Sequence, residues 1–210
     1  MKLPSNHTPL THGDFVGPAR HIAPLLDEAI RCANENDRAP IKMIFLGPPG
    51  TGKSALARYM QHQLKCHPKW STVKLNGSQV DLETVENLAS SLHLRDLFSE
   101  WKFIWFEEID QCTPKAQVRL LTLLDDQPTG TAIVCTSNCK LNELESRFQS
   151  RWKFFDVKPP TAADIHGLLV SYGLDEATAS QISTFACGNV RAALLDAELA
   201  MQAQATMKRS

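Results

Sequence analysis

The sequence predicts an α/β fold: a mainly parallel five-stranded sheet flanked by helices, then a small all-helical piece. Three observations carry that reading. Short apolar runs alternate with stretches of helical spacing, the pattern of parallel strands joined by crossover helices. One apolar run passes straight into a glycine-rich loop that opens a helix, Gly47-Pro48-Pro49-Gly50-Thr51-Gly52-Lys53-Ser54. After Pro159-Pro160 the strand signals stop and only helical spacing remains.

Each element has its own warrant. Residues 1–13 carry little periodicity and are expected to form a flexible arm. From Pro18 to Asn34, the residues Ile22, Leu25, Leu26, Ala29 and Ile30 recur at helical spacing, with Pro24 as an expected bend. Ile41 to Leu46 is almost continuously apolar, as a strand buried on both faces should be. A helix follows over Ser54 to Leu64, and Val73 to Leu75 is a second strand. Ser78 with Asp81 has capping-box form before a helix faced by Leu82, Val85, Leu88, Ala89 and Leu92, although Asp81 alone could cap it. Phe103 to Phe106 is a third strand, and Thr113-Pro114 a strong helix start. Thr131 to Cys135 and Phe154 to Val157 complete the sheet. The expected division is an arm over 1–13, an α/β domain over 14–158 and a helical lid over 159–210. The lid's helices span Thr161 to Tyr172, Asp175 to Cys187 and Asn189 to about Gln204, with Gly173 and Gly188 at their ends.

Composition excludes little. The formal net charge of −1 argues for neither nucleic acid nor membrane. No apolar run approaches the roughly 20 residues a bilayer span needs, and Met1 to Phe15 has no signal-peptide core. The six cysteines form no CxxC pair, which points to reduced thiols in a cytoplasmic protein rather than a metal site.

The chemistry concentrates at strand ends. A G-x-x-x-x-G-K-[ST] loop between strand and helix curls its N–H groups toward a triphosphate, and the helix N-terminus adds positive potential. Lys53 then reaches the β- and γ-phosphates, and the Ser54 hydroxyl sits on Mg²⁺. A bare glycine-rich turn is the competing reading. The third strand runs into Glu107-Glu108-Ile109-Asp110. Beside such a loop, Glu107 can hold Mg²⁺ and Glu108 can polarise the attacking water, where otherwise the acids would form a solvated loop. Asn138, after Thr136-Ser137 at the fourth strand end, could orient that water or simply make a turn. Arg147 and Arg151 precede the last strand and suit either solvent or a neighbour's nucleotide site. Arg191 stands in a helix's first turn, where positive charge is unfavourable, so it reads as serving a phosphate.

Taken together these residues resemble the AAA+ ATPases, P-loop NTPases, and within them the clamp-loader branch. The likeness runs from about Asp14 to Ala200. Asp14-Phe15-Val16-Gly17 resembles the segment that packs on adenine, and Gly47 to Ser54 the Walker A loop. Leu75-Asn76-Gly77-Ser78 is similar to a string in replication factor C small subunits, and Ala116 to Leu121 to the helix that follows Walker B there. Asn138 falls at sensor 1, Ser150-Arg151 at the motif holding a trans-acting arginine, and Gly188 to Arg191 at sensor 2. The resemblance implies ATP or ADP with Mg²⁺, held by Val16, Gly17, Pro48 to Ala55 and Arg191, with Ser54 and Glu107 on the metal. It implies catalytic roles for Lys53, Glu108, Asn138, Arg151 and Arg191. Other AAA+ subunits are the implied partners, with DNA and a sliding clamp as further candidates and no membrane. This chain departs from the pattern at Glu107, where Asp is usual, and at Trp152, where cysteine often follows Ser-Arg. The clamp loaders' collar domain and the bacterial zinc module have no counterpart in these residues.

Two functions compete. One is a clamp-loader-like ATPase in DNA replication or repair. The other is a regulatory or protein-remodelling module whose nucleotide state gates a partner protein without DNA contact; a nucleotide-binding scaffold with little turnover is a third reading. Lys115, Arg119 and Lys140 make only a sparse basic track, so DNA rests on the resemblance.

Overall fold

In the computed structural model, which describes residues 7–93, 99–139 and 146–207, the apolar runs become five strands. They are β1 (Ile41–Leu46), β2 (Thr72–Asn76), β3 (Lys102–Glu107), β4 (Thr131–Ser137) and β5 (Lys153–Asp156). They pair in the order β2-β3-β4-β1-β5, every pairing parallel. Central β4 is buried along its whole length, whereas edge strands β2 and β5 keep half-buried and exposed positions. That is why the central strands read as nearly continuous apolar runs and β2 and β5 less so.

The helices are α1 (Pro18–Glu35), α2 (Lys53–Gln63), α3 (Leu82–Leu92), α4 (Pro114–Asp125), the short α5 (Ser146–Gln149), α6 (Ala162–Ser171), α7 (Glu176–Phe185) and α8 (Val190–Met207). Alternation along the strands feeds two cores. Phe45, Phe103 and Val134 pack with Leu26 of α1 and Leu56 and Met60 of α2 on one face. Ile44, Ile104 and Ile133 pack with Leu88 of α3 and Leu120 and Leu124 of α4 on the other. Each such fully buried side chain contributes roughly 1.5–3 kcal/mol. The last three helices have a core of their own around Ile165, Leu169, Ala179, Ala193 and Ala197.

Three local expectations are corrected. Pro24 does not interrupt α1, which runs on to Glu35 with Ala23, Leu26 and Ile30 buried against the sheet. Asp81 caps α3 by itself, accepting from the Thr84 N–H at 2.8 Å. Ser78 instead bonds back to Asn76, its hydroxyl donating at 2.7 Å, in a single 3₁₀ turn. The expected N-terminal arm is tied down from His7 onward: its imidazole bonds the Asp14 carbonyl at 2.8 Å and the Tyr172 hydroxyl at 2.7 Å. Residues 1–6 of that arm, and Lys140 of the basic track, lie outside the described residues. Among the described residues no helix is long and apolar enough to cross a membrane.

Candidate nucleotide site

The loop after β1 is braced by its own residues. The Thr51 hydroxyl donates to the Pro48 carbonyl at 2.9 Å, and the Lys53 ammonium donates to the Gly47 and Pro48 carbonyls at 2.6 and 2.7 Å. Gly52 caps α2 in the left-handed region, at φ 101°. Lys53 is only 7 % exposed. Burial pulls its pKa down to about 8; Asp110 and Glu108 oppose the fall, and Arg191 adds to it. A desolvated ammonium held by neutral carbonyls gains strongly when a phosphate supplies negative charge.

Opposite the loop, the end of β3 meets the end of β4. Glu108 takes a left-handed backbone, φ 52° and ψ 52°, a conformation that is uncommon for a non-glycine residue and clusters at functional sites. It is over-determined by neighbours. Its N–H donates to the Thr136 hydroxyl at 3.2 Å. Its carboxylate accepts from the Asn138 amide at 3.2 Å and from the Gln111 amide at 2.7 Å. Its carbonyl presses on Gly77, where a Cβ would stand 2.0 Å away, so residue 77 has room for no side chain. Asp110 accepts from the Ser137 hydroxyl at 2.6 Å and the Asn138 N–H at 3.2 Å, which sets the direction of Asn138. Glu107 pairs with Lys74 of β2 at 2.9 Å.

The last three helices close the third side. The Val190 N–H donates to the Gly50 carbonyl at 2.9 Å. Asn189 caps α8 by accepting from the Ala192 N–H at 3.1 Å. The side-chain oxygen of Asn189 lies 1.9 Å from where a Cβ on residue 50 would be, and Gly50 itself sits at φ 79°. Any side chain at residue 50 would have to push Asn189 aside and take a strained backbone.

These parts enclose a cleft of about 480 Å³. Val16, Pro49 to Ala55, Glu107, Glu108, Asn138 and Arg191 all line it. Gly17 and Pro48 do not: Gly17 packs against Pro160, 2.6 Å from a notional Cβ, and Pro48 serves through its carbonyl. Arg151 also lies outside the lining. It makes a bidentate pair with Asp125 at the end of α4, both bonds 2.8 Å, and donates to the Arg147 carbonyl at 3.0 Å. That guanidinium holds the Asp125 carboxyl below the usual carboxylate range.

Among the lining residues that sequence reasoning missed are His7, Arg58, Asn76, Thr136, Leu194 and Leu195. Leu194 and Leu195 were findable, since residues three and four beyond Arg191 share its face of α8. His7 had no sequence signal; it arrives from the arm through contacts across the fold. Ser54 and Glu107 offer hydroxyl and carboxylate oxygens to the same cleft, the hard donors Mg²⁺ takes, and with phosphate and water oxygens they fit that ion.

A parallel sheet with a phosphate loop at the end of one strand and carboxylates at the end of another defines a P-loop nucleotide-binding domain. Residues 43–158, more than half of the chain, match the ATPase family associated with various cellular activities (AAA). The chain belongs to that family and is one of its ATPase domains. It is similar to the Holliday junction branch migration complex subunit RuvB of Mycoplasmopsis pulmonis, 28% identical over 136 residues, covering 65% of this chain and 40% of that protein. It is also similar to the replication factor C small subunit of Aeropyrum pernix, 25% identical over 158 residues, covering 72% of this chain and 46% of that protein. The chain thus spans less than half the length of these curated relatives. Two solved point mutants of Thermotoga maritima RuvB share its fold. Their TM-scores are 0.79 and 0.78 at 16% and 18% identity, covering 96% and 97% of this chain and 67% and 68% of theirs.

Proposed function

We propose that this chain binds and hydrolyses Mg²⁺-ATP between its α/β domain and helical lid, as a clamp-loader-like AAA+ module working within an oligomer in DNA replication or repair. The observation that carries the reading is the convergence of Lys53, Glu107, Glu108, Asn138 and Arg191 on one cleft. Lys53 and the loop N–H groups neutralise the phosphates. Glu108 takes the proton of the attacking water, and Asn138, aimed by Asp110, orients Glu108 and that water. Ser54 and Glu107 would hold the metal, which would supply positive charge to offset that of the phosphates. Arg191 carries the lid's response to the γ-phosphate. The DNA role is supported by the names of the two curated relatives.

A second reading keeps the ATPase and removes the DNA: a module that gates a partner protein. It is favoured by one detail, that Arg119 of the sparse basic track has the acidic Glu86 beside it, 3.9 Å away, which lowers the local positive potential. The test is light scattering after size exclusion, with and without ATP and primed DNA, alongside turnover of the wild type and Lys53→Ala. ATP-dependent assembly that DNA enhances supports the first reading. Assembly and turnover indifferent to DNA would move the function to the second. Wild-type turnover no higher than that of Lys53→Ala would remove the ATPase itself.

A further inference from the structure

The first carboxylate after β3 faces the cleft with a competitor already attached. Glu107 Oε2 lies 2.9 Å from Lys74 Nζ, and the same ammonium lies 4.2 Å from the centre of the Trp105 ring. Strand register produces the group. Lys74 stands opposite Trp105, and Asn76 opposite Glu107. Alternate residues share a face, so Lys74 and Glu107 are diagonal neighbours on the same side of the β2–β3 pair. Glutamate spans that diagonal with its full length, and an aspartate at 107 would be one methylene shorter. Trp105 is 3 % exposed and so makes a fixed platform beneath the ammonium.

We propose that Lys74 is a latch on Glu107: lysine and divalent cation compete for one carboxylate, and this competition sets the metal dependence of the chain. The proposal rests on the reading of Glu107 as the metal-side carboxylate. Without metal the ammonium holds Glu107. When metal arrives with nucleotide, Glu107 leaves Lys74, and the ammonium remains on the Trp105 face, where a cation is still favoured. The pair suits displacement. Its side chains are 45% and 26% exposed, and ion pairs this open to water are weak enough to be exchanged. A fully buried pair would not let go so easily. The latch also gives a reason for glutamate at 107, since the added length is what reaches Lys74.

The test uses the full chain loaded with ADP and titrated with Mn²⁺, free Mn²⁺ being read by electron paramagnetic resonance. Lys74→Met is expected to bind Mn²⁺ about three- to tenfold tighter, the range for losing one partly screened competing charge. Lys74→Arg keeps the pair and is expected to stay near the wild type. Glu107→Asp already breaks the reach, so adding Lys74→Met to it is expected to change affinity by about twofold or less, a non-additive pair. Unchanged or weaker binding in Lys74→Met, with normal Mn²⁺ binding by the wild type, overturns the latch alone. Equal tightening of both backgrounds also overturns it, because a general field effect explains that result. If the ADP-loaded wild type takes up no Mn²⁺, the latch and the metal reading of Glu107 fall together.

Discussion

The phosphate loop and the carboxylate corner face each other across one cleft but are held by different kinds of contact. The loop is braced from within: Lys53 and Thr51 bond carbonyls three to six residues away. The corner is assembled from distant chain: Asn138 to Glu108 spans 30 residues, Thr136 to Glu108 spans 28 and Ser137 to Asp110 spans 27. It exists because β4 lies between β3 and β1, so that the β4 end sits between the acids and the loop. A local brace can form wherever its string occurs. A corner built across strands depends on register and fails with it. Binding should therefore follow the loop, and turnover the corner.

The widest test of that division asks whether the corner is complete within one chain. Arg151 lies outside the cleft, on Asp125. Under the trans role, Arg151→Ala leaves ATP affinity nearly unchanged and lowers turnover of the assembly about 10³- to 10⁵-fold, roughly 4–7 kcal/mol of barrier. Turnover of the wild type should then rise more steeply than linearly with protein concentration, and mixing Arg151→Ala with Glu108→Gln should restore part of it. Normal turnover in Arg151→Ala assigns that arginine to Asp125 and passes the trans role to Arg147.

Next in size is Glu108→Gln, which keeps shape and removes the proposed base. Turnover is expected to fall about 10²- to 10⁴-fold with ATP still bound, seen by single-turnover kinetics beside equilibrium binding. A matching loss of affinity would erase the distinction between corner and loop.

Gly50→Ala attacks the loop where it has a long-range contact. The new methyl would overlap Asn189, and the φ of 79° disfavours alanine. The lid should be displaced at a cost of about 1–3 kcal/mol, with ATP affinity falling along with stability. Chemical denaturation and calorimetric titration measure both. An unchanged midpoint would mean that the lid docks on the loop only weakly.

The smallest effect is a pH dependence that belongs to the loop. Free Lys53 titrates at about 8, depressed by burial, and a bound triphosphate raises it. Below pH 8 the ammonium is already protonated, so ATP affinity is flat. Above it binding takes up a proton, and affinity falls by at most about tenfold per pH unit until the bound-state pKa is passed. Titrations at pH 9 in buffers of different ionisation heat should report that proton, and a flat profile from pH 7 to 9.5 would put Lys53 elsewhere. The same depression bears on folding. The charged form is disfavoured in the folded protein, so its contribution destabilises fully below pH 8 and is relieved as pH rises toward 10.5.

The legible parts share one property. Each strand expected from apolar runs formed within two residues of its expected ends; burial on both faces leaves the central strands few alternatives, and β2 and β5 follow by pairing with them. Thr113 caps α4 and Asp81 caps α3 through a side chain and an N–H three residues on. The helix through Pro24 stays continuous because packing against the sheet outweighs the propensity cost of one proline. The Ser78 box failed because Asn76, two residues away, took the hydroxyl.

What the sequence by itself determined is therefore local: the strand–loop–helix unit around Lys53, the caps, and the acids at the end of β3. Their geometry is set by φ/ψ limits and hydrogen bonds within one turn of chain. Only the tertiary structure decided which distant groups meet. The pairing of Asn138 with Glu108, the turning of Gly17 toward Pro160, the hold of Asp125 on Arg151 and that of Lys74 on Glu107 all depend on strand order and packing. The energy that fixes strand order comes from burying the two apolar faces of the sheet, a sum over the whole domain that no short string of residues contains.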